Sequence, residues 1–253
     1  MHQPQKTTMT PAWTPQQAAR IAGAAYLITN FTSDPLLFVG PKLVVAGDIA
    51  PTASNIMEHA MWFRVTIVLN LLTVAGCVIL NVALYELLAP VHRSLARLAA
   101  FWRLVEQAVY GAITVGSFVV LSVLNGADYV QAFEPRQLQG LARLLLGATS
   151  SGFWVAMFFF SLGSTIYCYL LLKSRYVPRL LALSGVAASA LFVVGILTRF
   201  LFPALVTAAF AAVRALPLVA LVPLALILVP IFSFELTIGS WLLVKGVRIP
   251  EHT

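Results

Sequence analysis

Charge is scarce in this chain. Only 10% of its 253 residues are Asp, Glu, Lys or Arg, against about 25% in a soluble globular domain. A folded chain of this length would lack the polar surface to live in water. Histidine is scarce too: His2, His59, His92 and His252 are the only four, and none is central to an apolar run. That excludes haem held between helices by axial histidines. It also excludes a membrane-embedded serine protease, which needs a histidine base at the depth of its nucleophile. The two cysteines, Cys77 and Cys168, fall inside apolar runs and form no ligand-spaced set with histidine, so they read as small buried apolar residues. There is no His-Glu-x-x-His zinc motif, no phosphate-binding glycine loop and no paired-aspartate motif. The residues therefore imply no metal site, no cofactor and no assigned catalytic residue.

Hydrophobic sequence is abundant. Apolar residues make up 60% of the chain and its mean hydropathy is +0.91. The apolar residues gather in six runs, about 18–39, 62–88, 95–124, 147–172, 178–202 and 217–244. Each meets the ~20 residues a helix needs to cross a bilayer. No ten-residue alternating strands occur, so a membrane β-barrel is excluded. The expected fold is all-α: a polytopic integral membrane bundle of six transmembrane helices, forming one domain over 1–253. Residues 1–16 form a polar leader with Lys6 its only charge, and the run after it reads as a retained first span rather than a signal peptide.

The net charge of +7 raises the question of an acidic partner. Its placement answers it. With six spans both termini share a side, and that side carries nine basic residues, among them Arg20, Arg93, Arg97, Arg175 and Arg248, against Glu251 alone. The opposite side mixes six cations with five acids. The positive-inside rule then puts both termini in the cytoplasm. Membrane lipids are the expected partners of the basic excess, and nucleic acid is not.

Two connections on the opposite side are long enough for short interfacial helices. One spans Thr52 to Phe63, with Ile56, Ala60 and Phe63 at helical spacing. The other starts at Glu134-Pro135, a helix-start signal, and carries Leu138, Leu141, Leu144 and Leu145 as an apolar stripe. The ends of three spans on the cytoplasmic side each combine an aromatic, basic residues and a proline, as in Tyr85 to Arg93. A common anchoring need or three repeated hairpins would both produce this pattern.

Three acids sit inside the apolar runs: Glu86, Glu106 and Glu235. An ionisable group there costs at least ~2.5 kcal/mol and marks a functional site by default. Glu86 is seven residues from Arg93 and can snorkel toward it. Glu106 belongs to a stripe of Arg103, Glu106, Gln107, Tyr110, Thr114 and Ser117 on one helical face. Arg103 and Glu106 can neutralise each other. Glu106 lies ~14 Å inward from Arg97, and Glu235 lies at a similar depth inward from Lys245. Carboxylates at one depth suit a proton relay, a metal site or amine recognition. The candidate ligand- or proton-binding residues are thus Glu106, Glu235, Arg103, Gln107 and Tyr110. On the last run the Ser233, Thr237 and Ser240 stripe opposes Glu235, and the charge should face inward. Pro217, Pro223 and Pro230 serve packing, or free backbone carbonyls for a ligand.

Thr14-Pro-Gln-Gln-Ala-Ala-Arg-Ile-Ala-Gly-Ala-Ala-Tyr-Leu-Ile-Thr resembles the opening of a bacterial membrane family, domain-of-unknown-function family 4386. Similar stretches run from Leu84 to Ala96, from Phe101 to Glu106, and from Glu235-Leu to the closing Trp241 to Val247. The resemblance covers nearly the whole chain after the leader. It implies a polytopic bacterial inner-membrane protein and no particular activity. The residues favour binding or transport of a small or lipidic molecule through intramembrane carboxylates. Two rivals stand beside it: a membrane enzyme using the two glutamates as acid and base, and a structural or regulatory partner protein.

Overall fold

The computed structural model describes residues 13–33, 49–125, 133–214 and 222–248. Among them every regular element is a helix: α1 (Pro15–Thr32), α2 (Ile49–Glu58), α3 (Ala60–Leu124), α4 (Pro135–Ser174), α5 (Arg179–Leu201), α6 (Pro203–Arg214) and α7 (Val222–Val244). Three are long and apolar enough to cross a membrane: Ala60–Leu124, Arg136–Ser174 and Arg179–Leu201. The polar leader (except residues 13–16), Asp34 and Pro217 lie outside the described residues.

Local chemistry sets the helix boundaries. Thr14 opens α1 with a capping box: its Oγ1 accepts from the Gln17 N–H at 3.2 Å, and the Gln17 side chain accepts from the Thr14 N–H at 2.9 Å. Glu134 and Gln137 repeat the device at α4, followed by Pro135. The 65-residue α3 is not one rod. Pro90 and the extended backbone of His92 (φ −164°, ψ 95°) break it, and His92 Nδ1 accepts the Leu95 N–H at 3.3 Å to cap the second arm. The arms 60–91 and 93–124 run antiparallel. Asn81 of the first donates to the Ala100 carbonyl of the second at 3.0 Å. Phe63 and Ile67 of the first pack with Val120 and Leu121 of the second.

The two connections expected to form interfacial helices turn out differently. The first holds α2, whose Ile56 is fully buried against Phe63 and Ile67. The second is no separate helix. Pro135 begins a continuous α4 of 40 residues, about 60 Å long and twice the ~30 Å hydrocarbon core. Nothing between Gln137 and Leu146 breaks it, since single glycines are tolerated inside helices. Its predicted stripe is also imperfect, with Leu145 packed and Leu144 70% exposed. Sequence reading missed α6, which restarts at Pro203 after the non-helical Phe202.

All arms meet in one base. Ala18, Ala19, Ala22, Leu88, Ala96, Ala99, Leu171, Ala182 and Leu242 form its buried core. Small residues let backbones approach, as in helix pairs of membranes. A Cβ on Gly23 of α1 would lie 2.7 Å from the Gly239 carbonyl oxygen of α7. Polar ties close the base below: Gln16 Oε1 accepts from Val247 N at 3.1 Å, and Arg248 N donates to the Tyr176 carbonyl at 3.1 Å. The beginning of α1 and the end of α7 therefore lie at the same end of the bundle. Above the base the helices separate.

Candidate functional site

The separation leaves a cavity of about 300 Å³ between the base and the Phe63–Leu121 cluster, lined from α1, both arms of α3, α4, α5 and α7. Arg103, Glu106, Gln107, Tyr110 and Glu235 all line it. Five residues picked out on two separate stretches of sequence therefore share one chamber.

The second arm of α3 supplies four of them because positions 103, 106, 107 and 110 fall on one helical face. That face turns inward: Arg103, Glu106, Gln107 and Tyr110 are all buried. Arg103 Nη1 and Glu106 Oε2 are 2.7 Å apart, and this is the only ion pair among the described residues. Neither of these two atoms has a hydrogen-bond partner beyond the other. The guanidinium also lies over the Phe160 ring of α4, 4.5 Å from its centroid, where the ring face attracts a cation. Its stem runs past Gly163, where a Cβ would stand 2.7 Å from Arg103 Cγ. Gly163 makes room for the stem, and Phe160 and Glu106 fix the head. Gln107 follows Glu106 on this face and is buried with it. Tyr110 meets Phe153 edge to face at 6.2 Å.

Glu235 reaches the cavity from α7. Thr237 and Ser240 on the same helix are exposed, so the carboxylate faces inward and the hydroxyl stripe outward, as expected. α7 runs without a break from Val222 to Val244, through Pro223 and Pro230. The helix is not unwound there, and Pro230, which has no N–H, leaves the Leu226 carbonyl without its helical donor. Asn30 of α1 lines the same cavity, and its Nδ2 donates to the Tyr26 carbonyl at 2.9 Å. Glu86 is half-buried and forms no ion pair with Arg93.

Sequence reasoning missed Asn30, its neighbours Thr29 and Ser33, and the aromatic wall of Phe153, Phe160 and Phe192. A signal existed for the first group: three polar side chains close together at the end of an apolar run. None existed for the rings, because periodicity does not separate a phenylalanine facing lipid from one facing a cavity. Polar side chains on the first arm of α3 tie it to its neighbours. Thr73 donates to Thr32 at 2.7 Å, and the Tyr167 hydroxyl donates to Asn81 Oδ1 at 2.5 Å. Cys77 and Cys168 are free thiols, both buried.

The arrangement is an apolar chamber holding one guanidinium and two carboxylates. It can neutralise charge and accept hydrogen bonds from a small guest. Among the described residues no group of three or more His, Cys, Asp or Glu converges as a metal site would. No curated protein and no solved structure matches the chain. A family model does match over residues 21–246, the helical region from α1 through the end of α7, and the chain belongs to that family, described as Domain of unknown function (DUF4386).

Proposed function

We propose that the chain is a multi-pass protein of the bacterial cytoplasmic membrane whose cavity binds, and carries or presents, a small or lipidic molecule. The observation that carries this reading is the convergence of Arg103, Glu106 and Glu235 in one chamber walled by aromatic rings. Charges so placed are costly and persist where they serve a ligand or proton path. A cavity of this size lies at the lower end of the ~300–1,000 Å³ of small-molecule sites.

Membrane residence is supported by the outer surface. Phe31, Leu180, Leu191 and Val244 are each more than 70% exposed, and soluble monomers rarely show such surface in large patches. Counting the two arms of α3 separately, six helices traverse the bilayer: α1, both arms, α4, α5 and α7. Arg20, Arg93, Arg175 and Lys245 fall at or near the helix ends that meet at the base, which supports a cytoplasmic placement of that end.

The test is mass spectrometry of small molecules and lipids that co-purify with the wild-type protein and with a Glu106→Gln, Glu235→Gln double variant. A compound retained by the wild type and lost from a still-folded variant is expected. Identical profiles for the two proteins would overturn the binding reading.

A further inference from the structure

We infer that the guest of this cavity is a protonated primary or secondary amine carried on a compact apolar or aromatic body. The inference rests on the cavity being a binding site and adds the chemistry of its ligand. Three observations point the same way.

The first is charge. Arg103 is occupied by Glu106 at 2.7 Å and by the face of Phe160. Glu235, which reaches the cavity from α7, forms no ion pair among the described residues. With both acids ionised the chamber holds one carboxylate more than it holds cations, and a monocation balances it. An anionic guest would have to compete with Glu106 for Arg103 and lie beside Glu235 as well.

The second is the balance of donors and acceptors. Gln107 is 4% exposed and lines the cavity, and its Oε1 has no hydrogen-bond partner. The Gln107 carbonyl is therefore a buried acceptor that no donor among the described residues meets. Two nearby hydroxyl protons are already committed: Thr29 Oγ1 donates to the Ala25 carbonyl at 2.8 Å and Thr73 Oγ1 to Thr32 at 2.7 Å. A buried acceptor without a donor is destabilising. The chamber therefore calls for a guest that brings N–H donors to Glu235 and Gln107. A quaternary ammonium brings charge and no donor, and a bare metal ion would leave the apolar wall unused.

The third is that wall. Phe153, Phe160 and Phe192 line the space around these polar groups. Ring faces attract ammonium groups and their edges pack apolar bodies. Together the walls fit a cationic head on a small hydrophobic frame.

The test uses the full chain in detergent or lipid nanodiscs and three probes of one shape: 2-naphthylmethylamine, 2-naphthylmethanol and 2-naphthoate. Binding is measured by calorimetry at neutral pH. The amine is expected to bind about tenfold tighter than the alcohol, the scale of a charge-assisted hydrogen bond, and the naphthoate weakest. Glu235→Gln should bring the amine to within about threefold of the alcohol, with size-exclusion chromatography reporting that the variant is still folded. Gln107→Leu should weaken the amine by about threefold, the scale of one neutral hydrogen bond. Equal affinity for the three probes, absence of binding by all three, or preference for the naphthoate overturns the amine assignment. If the wild type meanwhile retains a co-purified compound that is not an amine, the cavity remains a binding site and only its assigned chemistry falls.

Discussion

The base of the bundle and the chamber above it are built from the same helices on opposite principles. In the base, alanine and glycine bring backbones together: Ala19, Ala22, Ala83, Ala96 and Ala99 are fully buried, and α1 rides directly on α7 at Gly23 and Gly239. In the chamber, the same α1 and α7 present Asn30 and Glu235 to a space that no side chain fills. The base gains its stability from dispersion contacts and close packing. The chamber carries charged and polar groups whose burial is costly unless each is paired. A tight base thus anchors a chamber that contributes little to holding the helices together.

The largest expected effect is a break in the chamber's internal pairing. Arg103→Ala leaves Glu106 buried without its cation and should destabilise the protein by about 3–5 kcal/mol. Replacing both residues by leucine should recover most of that loss, because a missing pair is far cheaper than a broken one. Thermal unfolding in detergent, read by size-exclusion chromatography, checks both. A single variant as stable as the wild type would mean that the ion pair is solvated rather than buried.

Next in size is a break in the base. Gly23→Ala puts a methyl group against the backbone of Gly239, Leu242 and Leu243, which has no rotamer to change. A loss of about 1–3 kcal/mol is expected, the range for overpacking. Gly195→Ala on α5 meets nothing within 4 Å and should be neutral or stabilising, by up to about 1 kcal/mol from helix propensity. The pair of glycines sharpens the comparison, since both lie inside helices and only one lies in the base. Equal effects would show that helix propensity alone, not close approach, sets the response.

A smaller effect should join the two regions. Gly163→Ala places its methyl 2.7 Å from Arg103 Cγ and 3.1 Å from the Ala99 carbonyl oxygen. The arginine stem can give way where a backbone cannot, so about 1 kcal/mol of stability is at stake. Shifting the stem also shifts the guanidinium off Phe160, so retention of a co-purified compound should fall more than stability does. Unchanged retention at unchanged stability would separate the Arg103 geometry from binding.

Much of this was legible in the sequence. The break between Leu88 and Leu95 was visible in proline, charge and the end of the apolar run. The stripe from Arg103 to Tyr110 was visible because four polar residues on one face of an apolar helix have nowhere favourable to go except inward. Glu235 was visible for the same reason. Other features were hidden because their signals depend on three-dimensional neighbours. Gly23 looks like any glycine in an apolar helix until α7 lies against it. Phe160 looks like a lipid-facing ring until Arg103 lies over it. The continuous α4 was read as two elements because its amphipathic first turns differ in composition from the rest, although nothing between them stops a helix. α6 was overlooked because the stretch around Pro203 reads as a stop, and a proline at the first turn also begins a helix.

The smallest expected effect concerns the back of α7. Thr237 and Ser240 lie on the face opposite Glu235 and are exposed, and Thr237 Oγ1 donates to the Ser233 carbonyl at 2.6 Å within its own helix. That bond satisfies the hydroxyl without a neighbour, so the face needs nothing beyond lipid to cover it. Thr237→Val and Ser240→Ala should each change stability by less than about 0.5 kcal/mol, as surface substitutions do, and leave retention of any co-purified compound as in the wild type. Glu235→Gln, two residues from Thr237, should leave the fold intact and alter retention. The helix would then carry function on one face and lipid contact on the other. If the hydroxyl variants proved as disruptive as Arg103→Ala, the back of α7 would be a packed surface, and the division between a structural base and a functional chamber would have to include it.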